Sequence, residues 1–155
     1  MAQEIERKFL LRGDGWRARV TGSLPMKQGY LASHQACSVR VRIAGGQAFL
    51  NLKSATLGVE RYEYEYEIPV TDAEEILHTL CERPFIDKVR HHVPYAGHLW
   101  EVDEFEGENA GLVVAEIELG HPDEPFARPE WLGAEVSHDP RYYNVCLLKH
   151  PYSRW

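Results

Sequence analysis

The stretch EIERKFL, residues 4–10, sets Glu4, Glu6 and Lys8 at every second position, with Ile5, Arg7 and Phe9 between them. Successive side chains of a β-strand point to opposite faces, so the two glutamates and the lysine share one face. Such a face either looks at water or encloses something that needs both signs of charge. The first alternative gives an ordinary one-sided sheet, the second a sheet closed around an ionic interior.

The same alternation recurs along the chain. SVRVRIA (38–44) puts Arg40 and Arg42 on one face and ends at Gly45-Gly46, a turn signal. QAFLNLKS (47–54) carries Lys53 on the face of Asn51 and Phe49. In VERYEYEYEIPV (59–70), Arg61, Glu63, Glu65 and Glu67 alternate with Tyr62, Tyr64 and Tyr66, an aromatic density that favours strand. Three further strands are predicted, IDKVRHHV (86–93), HLWEVDEF (98–105) and LVVAEIEL (112–119). Their same-face charges are Lys88 with Arg90, Glu101 with Asp103, and Glu116 with Glu118.

Helical signals are fewer. Thr71-Asp72-Ala73-Glu74 reads as a capping box that opens a helix running to about Cys81, with Pro84 as the stop. Asp139 as N-cap with Pro140 at the first helical position predicts a second helix start, and shorter helical pieces are expected near Trp16 and Trp131. The inventory is mainly antiparallel β with a few helices, in one domain of 155 residues.

The net charge of -7 argues against a chain built to coat nucleic acid or an anionic membrane, although local charge still permits a phosphate ligand. Cys37, Cys81 and Cys146 form no CxxC pair, which suits a reducing compartment. No signal peptide or membrane span is read, so the cytoplasm is the expected location.

Enclosing the charges has a cost. Carboxylates at i and i+2 lie roughly 6–7 Å apart along a strand, and at an effective dielectric near 20 each such pair repels by about 2–2.5 kcal/mol. Glu4/Glu6, Glu63/Glu65, Glu101/Asp103 and Glu116/Glu118 would each add such a term inside a lumen. Bases relieve part of it and divalent cations more, with Mg²⁺ or Mn²⁺ the natural choice for oxygen ligands. Acids and bases enclosed together point to a metal-bound polyphosphate, the acids on the metal and the bases on the phosphate oxygens. The signs are also grouped strand by strand, whereas a solvated sheet tends to intersperse them.

This ordered set resembles the CYTH, or triphosphate tunnel metalloenzyme, superfamily. The hallmark E-x-E-x-K strand is Glu4-Ile5-Glu6-Arg7-Lys8, followed by QGYL (28–31), VRVR (39–42), LNLKS (50–54), RYEYEYEIP (61–69), DKVR (87–90), WEVDEF (100–105), VVAEIEL (113–119) and RYYN (141–144). The resemblance implies an eight-stranded antiparallel β-barrel tunnel with a charged lumen and flanking helices. It implies phosphate binding by Lys8, Arg40, Arg42, Lys53, Lys88 and Arg90. It implies metal service by Glu4, Glu6, Glu116 and Glu118, with Asp103 a further candidate, and by Glu63 and Glu65, which double as catalytic candidates that position water. Tyr30, in QGYL, is a candidate for proton transfer, and Arg61 either contacts phosphate or pairs with its neighbouring glutamates.

Glu67 reads as a solvated rim position, and the eight histidines as surface residues. Trp16, Trp131 and the Tyr142-Tyr143 pair read as packing against the barrel exterior. Among the activities of the superfamily, the short chain and the piecewise match favour inorganic triphosphatase, acting on tripolyphosphate as a monomer or homodimer. An adenylyl cyclase, a nucleoside or thiamine triphosphate enzyme and a non-catalytic polyphosphate binder are the alternatives.

Overall fold

Alternating polar and apolar residues fold into long antiparallel strands, and in the computed structural model these close on themselves. The structure describes residues 3–34, 36–55 and 58–155. Eight strands form the barrel: β1 (Gln3–Leu11), β2 (Gly22–Ser33), β3 (Cys37–Ala44), β4 (Gln47–Ser54), β5 (Glu60–Ile68), β6 (Ile86–Tyr95), β7 (His98–Phe105) and β8 (Val113–Leu119). They run in the order β5-β4-β3-β2-β6-β7-β8-β1, and pairing of β1 with β5 through Gln3↔Tyr62, Glu4↔Arg61 and Ile5↔Glu60 closes the circle. The expected eight-stranded antiparallel barrel is thus the observed architecture.

The strand that alternation alone does not reveal is β2. Its lumen-side residues are Met26, Gln28 and Tyr30, and Pro25 and Gly29 interrupt it, both weak strand formers. Gly29 has a packing reason. A Cβ there would lie 2.6 Å from Leu77 Cδ2 and 2.9 Å from Cys81 Cβ, on and just beyond the helix α1 (Val70–Thr79).

The hydrophobic core lies mostly outside the barrel. Ile5, Phe9, Trp100, Val102 and Ile117 face outward and are covered by Trp16, Trp131 and Leu132. Phe9 and Trp131 each meet the Trp100 ring edge-on, at 5.6 and 5.7 Å between centroids. On the far side α1 lays Ala73 and Leu77 over Val41 and Ala48. A third cluster plugs one end of the lumen: Tyr30, Ile86, Phe105 and Val114 meet Tyr142, Leu147 and Leu148, the two leucines from helix α2 (Asn144–Lys149).

Three local expectations are corrected. The capping box is not used, because α1 begins at Val70 with Pro69 in the N-cap place and no side-chain cap. Starting there packs Val70 into the α1 cluster, and the fixed φ of Pro69 suits the turn out of β5. The helix also ends at Thr79, short of Cys81. Trp131 precedes no helix but a short strand, β9 (Leu132–Glu135), which pairs with β1 and buries Trp131 and Leu132. At Asp139 the carboxylate accepts from the Arg141 N–H as expected, but it caps a 3-10 turn over Pro140–Tyr142, and α2 follows after Tyr143. Trp16 does lie in a 3-10 turn, Gly15–Arg19.

A charged tunnel as candidate active site

Strand parity carries the ionic residues inward. A cavity of about 400 Å³ is lined by Lys8, Arg40, Arg42, Lys53, Lys88 and Arg90, by Glu4, Glu6, Glu63, Glu65, Glu116 and Glu118, and by Tyr30. Every site residue singled out in the sequence meets there except Asp103. Glu67 is exposed and lies outside the cavity, at the rim. Glu101 and Arg61 join the lining, as do Tyr143, Asn144 and Val145 from the plug.

Asp103 is fully buried behind the wall and holds the cations in front of it. Arg90 donates to it twice, Nε to Oδ1 at 2.8 Å and Nη2 to Oδ2 at 2.9 Å, while Lys88 Nζ donates to Oδ2 at 2.7 Å. Lys88 also reaches Asn144 Oδ1 at 3.2 Å. Beside this group, Lys8 Nζ donates to Glu116 Oε1 at 3.0 Å and approaches the Tyr142 carbonyl at 3.4 Å. Arg90 further pairs with Glu101 at 3.2 Å and Glu116 at 3.6 Å.

The opposite wall is built from β4, β5 and the start of β1. Lys53 Nζ lies 3.3 Å from Glu63 and 3.4 Å from Glu4, and Arg61 Nε lies 3.7 Å from Glu4. Asn51 Nδ2 donates to Glu63 Oε1 at 3.0 Å and to Glu65 Oε2 at 2.6 Å, the latter also taking Arg42 Nη2 at 3.1 Å.

The electrostatics show two unmet needs. Burial, aided by Glu116 and Glu4, holds the Glu6 carboxyl well above the usual carboxylate range. Burial likewise raises Glu4 to about 7, although Lys53 works against it. Their partners go the other way. Burial alone would raise Glu116, but Lys8, Arg90 and Lys88 hold it well below the ordinary value, and Lys53, a hydrogen bond from Glu4 and Arg40 bring Glu63 down to about 2. Within each of the neighbouring pairs Glu6 with Glu116 and Glu4 with Glu63, one carboxyl is thus pushed up and the other down, the direction expected where acids crowd together with too little positive charge. The β-ladder confirms the crowding, since Glu6 stands directly opposite Glu118 and Glu101 opposite Glu116.

At the other pole, burial and the neighbouring guanidiniums Arg40 and Arg90 push Arg42 down. Among the described residues the Nε–H groups of Arg40, Arg42 and Arg61 find no hydrogen-bond acceptor. Burial also lowers Lys88 to about 8, against the pull of Asp103. One cavity thus holds acids short of cations and bases short of an anion. Among the described residues no three carboxylate, histidine or cysteine side chains form a ready-made metal cage.

Two sequence expectations about rings and histidines change. Tyr142 packs in the plug, but Tyr143 turns into the tunnel, where Arg61 sits over its ring at 5.7 Å and its hydroxyl donates to the Ser137 carbonyl at 2.7 Å. Adjacent residues of an irregular segment face opposite ways, which a Tyr-Tyr pair does not disclose. His91 and His92 are half-buried on β6. His92 falls on the lumen side, 3.8 Å from Glu101, and His91 on the outer side against Trp16 and Glu104. The neutral lumen residues Gln28, Asn51 and Asn144 carry no charge pattern; for Asn51, only its position two residues before Lys53 gives a signal.

Comparison with known proteins agrees with this geometry. A family model described as the CYTH domain matches residues 2–143. An inorganic triphosphatase of Acetivibrio thermocellus is 48% identical over 155 residues, all of this chain and 99% of that one. An inorganic triphosphatase of Nitrosomonas europaea is 37% identical over 150 residues, 93% of this chain and 95% of that one. A crystal structure of an inorganic triphosphatase superposes with a TM-score of 0.67 at 34% identity, covering 96% of this chain and 95% of that one.

Proposed function

The chain belongs to the CYTH-domain family, and on that premise we propose that it hydrolyses inorganic triphosphate to pyrophosphate and phosphate with the help of a divalent cation, Mg²⁺ or Mn²⁺. The observation that carries this reading is the crowding of like charges in one cavity: Glu6 stands opposite Glu118 and Glu101 opposite Glu116, while the Nε–H groups of Arg40, Arg42 and Arg61 find no hydrogen-bond acceptor among the described residues. A metal-bound polyphosphate supplies both missing charges at once.

The donor set fits a hard cation, since Glu4, Glu6, Glu63, Glu116 and Glu118 offer only oxygen. With no three of them forming a cage, the ion would complete its shell with water and phosphate oxygens, as Mg²⁺ commonly does. When bound, the cation neutralises charge on the phosphate chain and on the oxygen of the departing group.

The protein's own contribution is positioning. Lys8, Lys88 and Arg90 are held from behind or beside by Asp103 and Glu116, so they meet an anion without reorganising. Arg40, Arg42 and Lys53 contact the chain from the opposite arc. Glu63 and Glu65 orient the attacking water, and Glu63, ionised down to about pH 2, accepts a hydrogen bond from it throughout the neutral range. Tyr30 lines the same cavity at the plug end and serves here as wall rather than base. Asp103, buried and already engaged by two cations, acts as their anchor and not as a metal ligand.

The free Cys37, Cys81 and Cys146 suit a reducing, cytoplasmic setting. Among the described residues no helix is long and apolar enough to cross a membrane.

The test is phosphate release from tripolyphosphate, ATP and thiamine triphosphate, each with Mg²⁺, Mn²⁺ or chelator. The expected result is turnover of tripolyphosphate at least tenfold above the other two, abolished by chelator. Preference for ATP, or release that persists in chelator, overturns the reading.

A further inference from the structure

We infer that Asn51 is a positioning residue of this site: its side-chain amide sets the geometry of the two carboxylates, Glu63 and Glu65, that orient water. The inference rests on the triphosphatase reading and adds to it a neutral residue that touches no phosphate.

Asn51 stands on β4 directly opposite Glu65, two residue pairs along from Lys53 opposite Glu63. It is fully buried. Its single NH2 group donates to Glu63 Oε1 at 3.0 Å and to Glu65 Oε2 at 2.6 Å. Both oxygens are therefore held no farther apart than two hydrogen-bond lengths, about 5.6 Å. Two carboxylates at i and i+2 of one strand repel, and among the described residues nothing else bridges this pair. Of the two, Lys53 reaches Glu63 and Arg42 reaches Glu65.

The chemistry of an amide matters here. A lysine or arginine at this position would also draw the two acids together but would neutralise them. An asparagine donates two hydrogen bonds and leaves both negative charges in place for water or a cation.

The orientation has a cost that identifies its purpose. Because both partners can only accept while ionised, the amide must turn its NH2 toward them. Its carbonyl Oδ1 is left buried with no donor among the described residues. A residue kept for packing alone would be apolar and carry no orphan acceptor. The unmet oxygen is tolerated because the NH2 is required.

The experiment compares wild type with Asn51→Leu, which keeps the branched skeleton and removes both donors, and Asn51→Asp, which keeps shape and places a third carboxylate opposite the pair. Asn51→Ser, with one short donor, covers the case in which the leucine variant does not fold. Folding is checked by circular dichroism and melting temperature, and kcat and KM are measured for tripolyphosphate with Mg²⁺. Asn51→Leu is expected to lose at least tenfold in kcat with KM within threefold of wild type. Asn51→Asp should lose about a hundredfold, and Asn51→Ser should fall between wild type and Asn51→Leu. A folded variant with kcat within twofold of wild type, or a loss confined to KM, ends this inference while the triphosphatase reading stands. A wild-type protein inactive on all three triphosphates ends that reading, and this inference with it.

Discussion

Replacing Asp103 by asparagine keeps the shape of the side chain and removes the charge that two buried cations share. Asp103 is fully buried, the Lys88 side chain is 2% exposed, and the three contacts span 2.7–2.9 Å. Removing one member of a buried ionic group leaves the others uncompensated, a loss of about 3–5 kcal/mol. Arg90 retains Glu101 and Glu116, so the low end of that range applies to it; Lys88 keeps only the Asn144 amide oxygen as a close partner. For a chain of this length the melting temperature should fall by roughly 6–20 °C. The freed charge then favours an anion, so tripolyphosphate should raise the melting temperature of Asp103→Asn by more than it raises wild type. Turnover should fall because Lys88 and Arg90 are no longer held. The assay is differential scanning fluorimetry with and without tripolyphosphate, beside a Mg²⁺ titration of activity. A ligand-free melting temperature within about 1 °C of wild type, with a large rise in the Mg²⁺ needed for half-maximal rate, would refute the anchoring argument and return Asp103 to the metal.

The remaining expectations are these. Lys8→Ala and Arg42→Ala should each raise KM for tripolyphosphate by about tenfold or more, as expected for lost charge-assisted contacts, whereas Glu4→Gln and Glu118→Gln should raise the Mg²⁺ requirement; kinetics unchanged in both sets would remove the site assignment. Burial lowers Lys88 to about 8, so its charge is complete below that pH and disappears above it. KM should therefore climb as pH rises past about 8, and a KM flat from pH 7 to 10 would exclude Lys88 as a contact. Gly29→Ala forces a methyl to within 2.6 Å of Leu77 and 2.9 Å of Cys81. Overpacking of this kind costs about 1–3 kcal/mol, so thermal melting should drop by several degrees while Mg²⁺ dependence is unaltered; an unshifted melt would show that α1 yields freely.

How much of this was legible in the sequence depends on how strongly each residue advertises its face. Charges at alternate positions mark the inside of β1, β3, β5, β6, β7 and β8 because period-two parity survives any barrel closure. In β2 the inward residues are Met26, Gln28 and Tyr30, so no ionic stripe appears and the strand is visible only through its likeness to QGYL in related chains. Parity says which side a group faces but not how deep it lies or what it grips. Asp103 shares its face with Glu101, yet one is sealed behind Arg90 and the other lines the cavity. Asn51, Asn144 and Tyr143 contribute through hydrogen bonds and ring contacts, which depend on distances across the barrel. Trp131 misleads because an isolated aromatic between prolines and glycines suits a strand edge as well as a helix.

The apolar stopper formed by Leu147, Leu148 and Tyr142 turns the channel into a cul-de-sac. Whatever enters must back out through the same doorway, and so must both fragments of a cleaved chain. On the proposed reaction pyrophosphate is the larger product, so it should obstruct the next arrival and inhibit competitively at concentrations where orthophosphate has little effect.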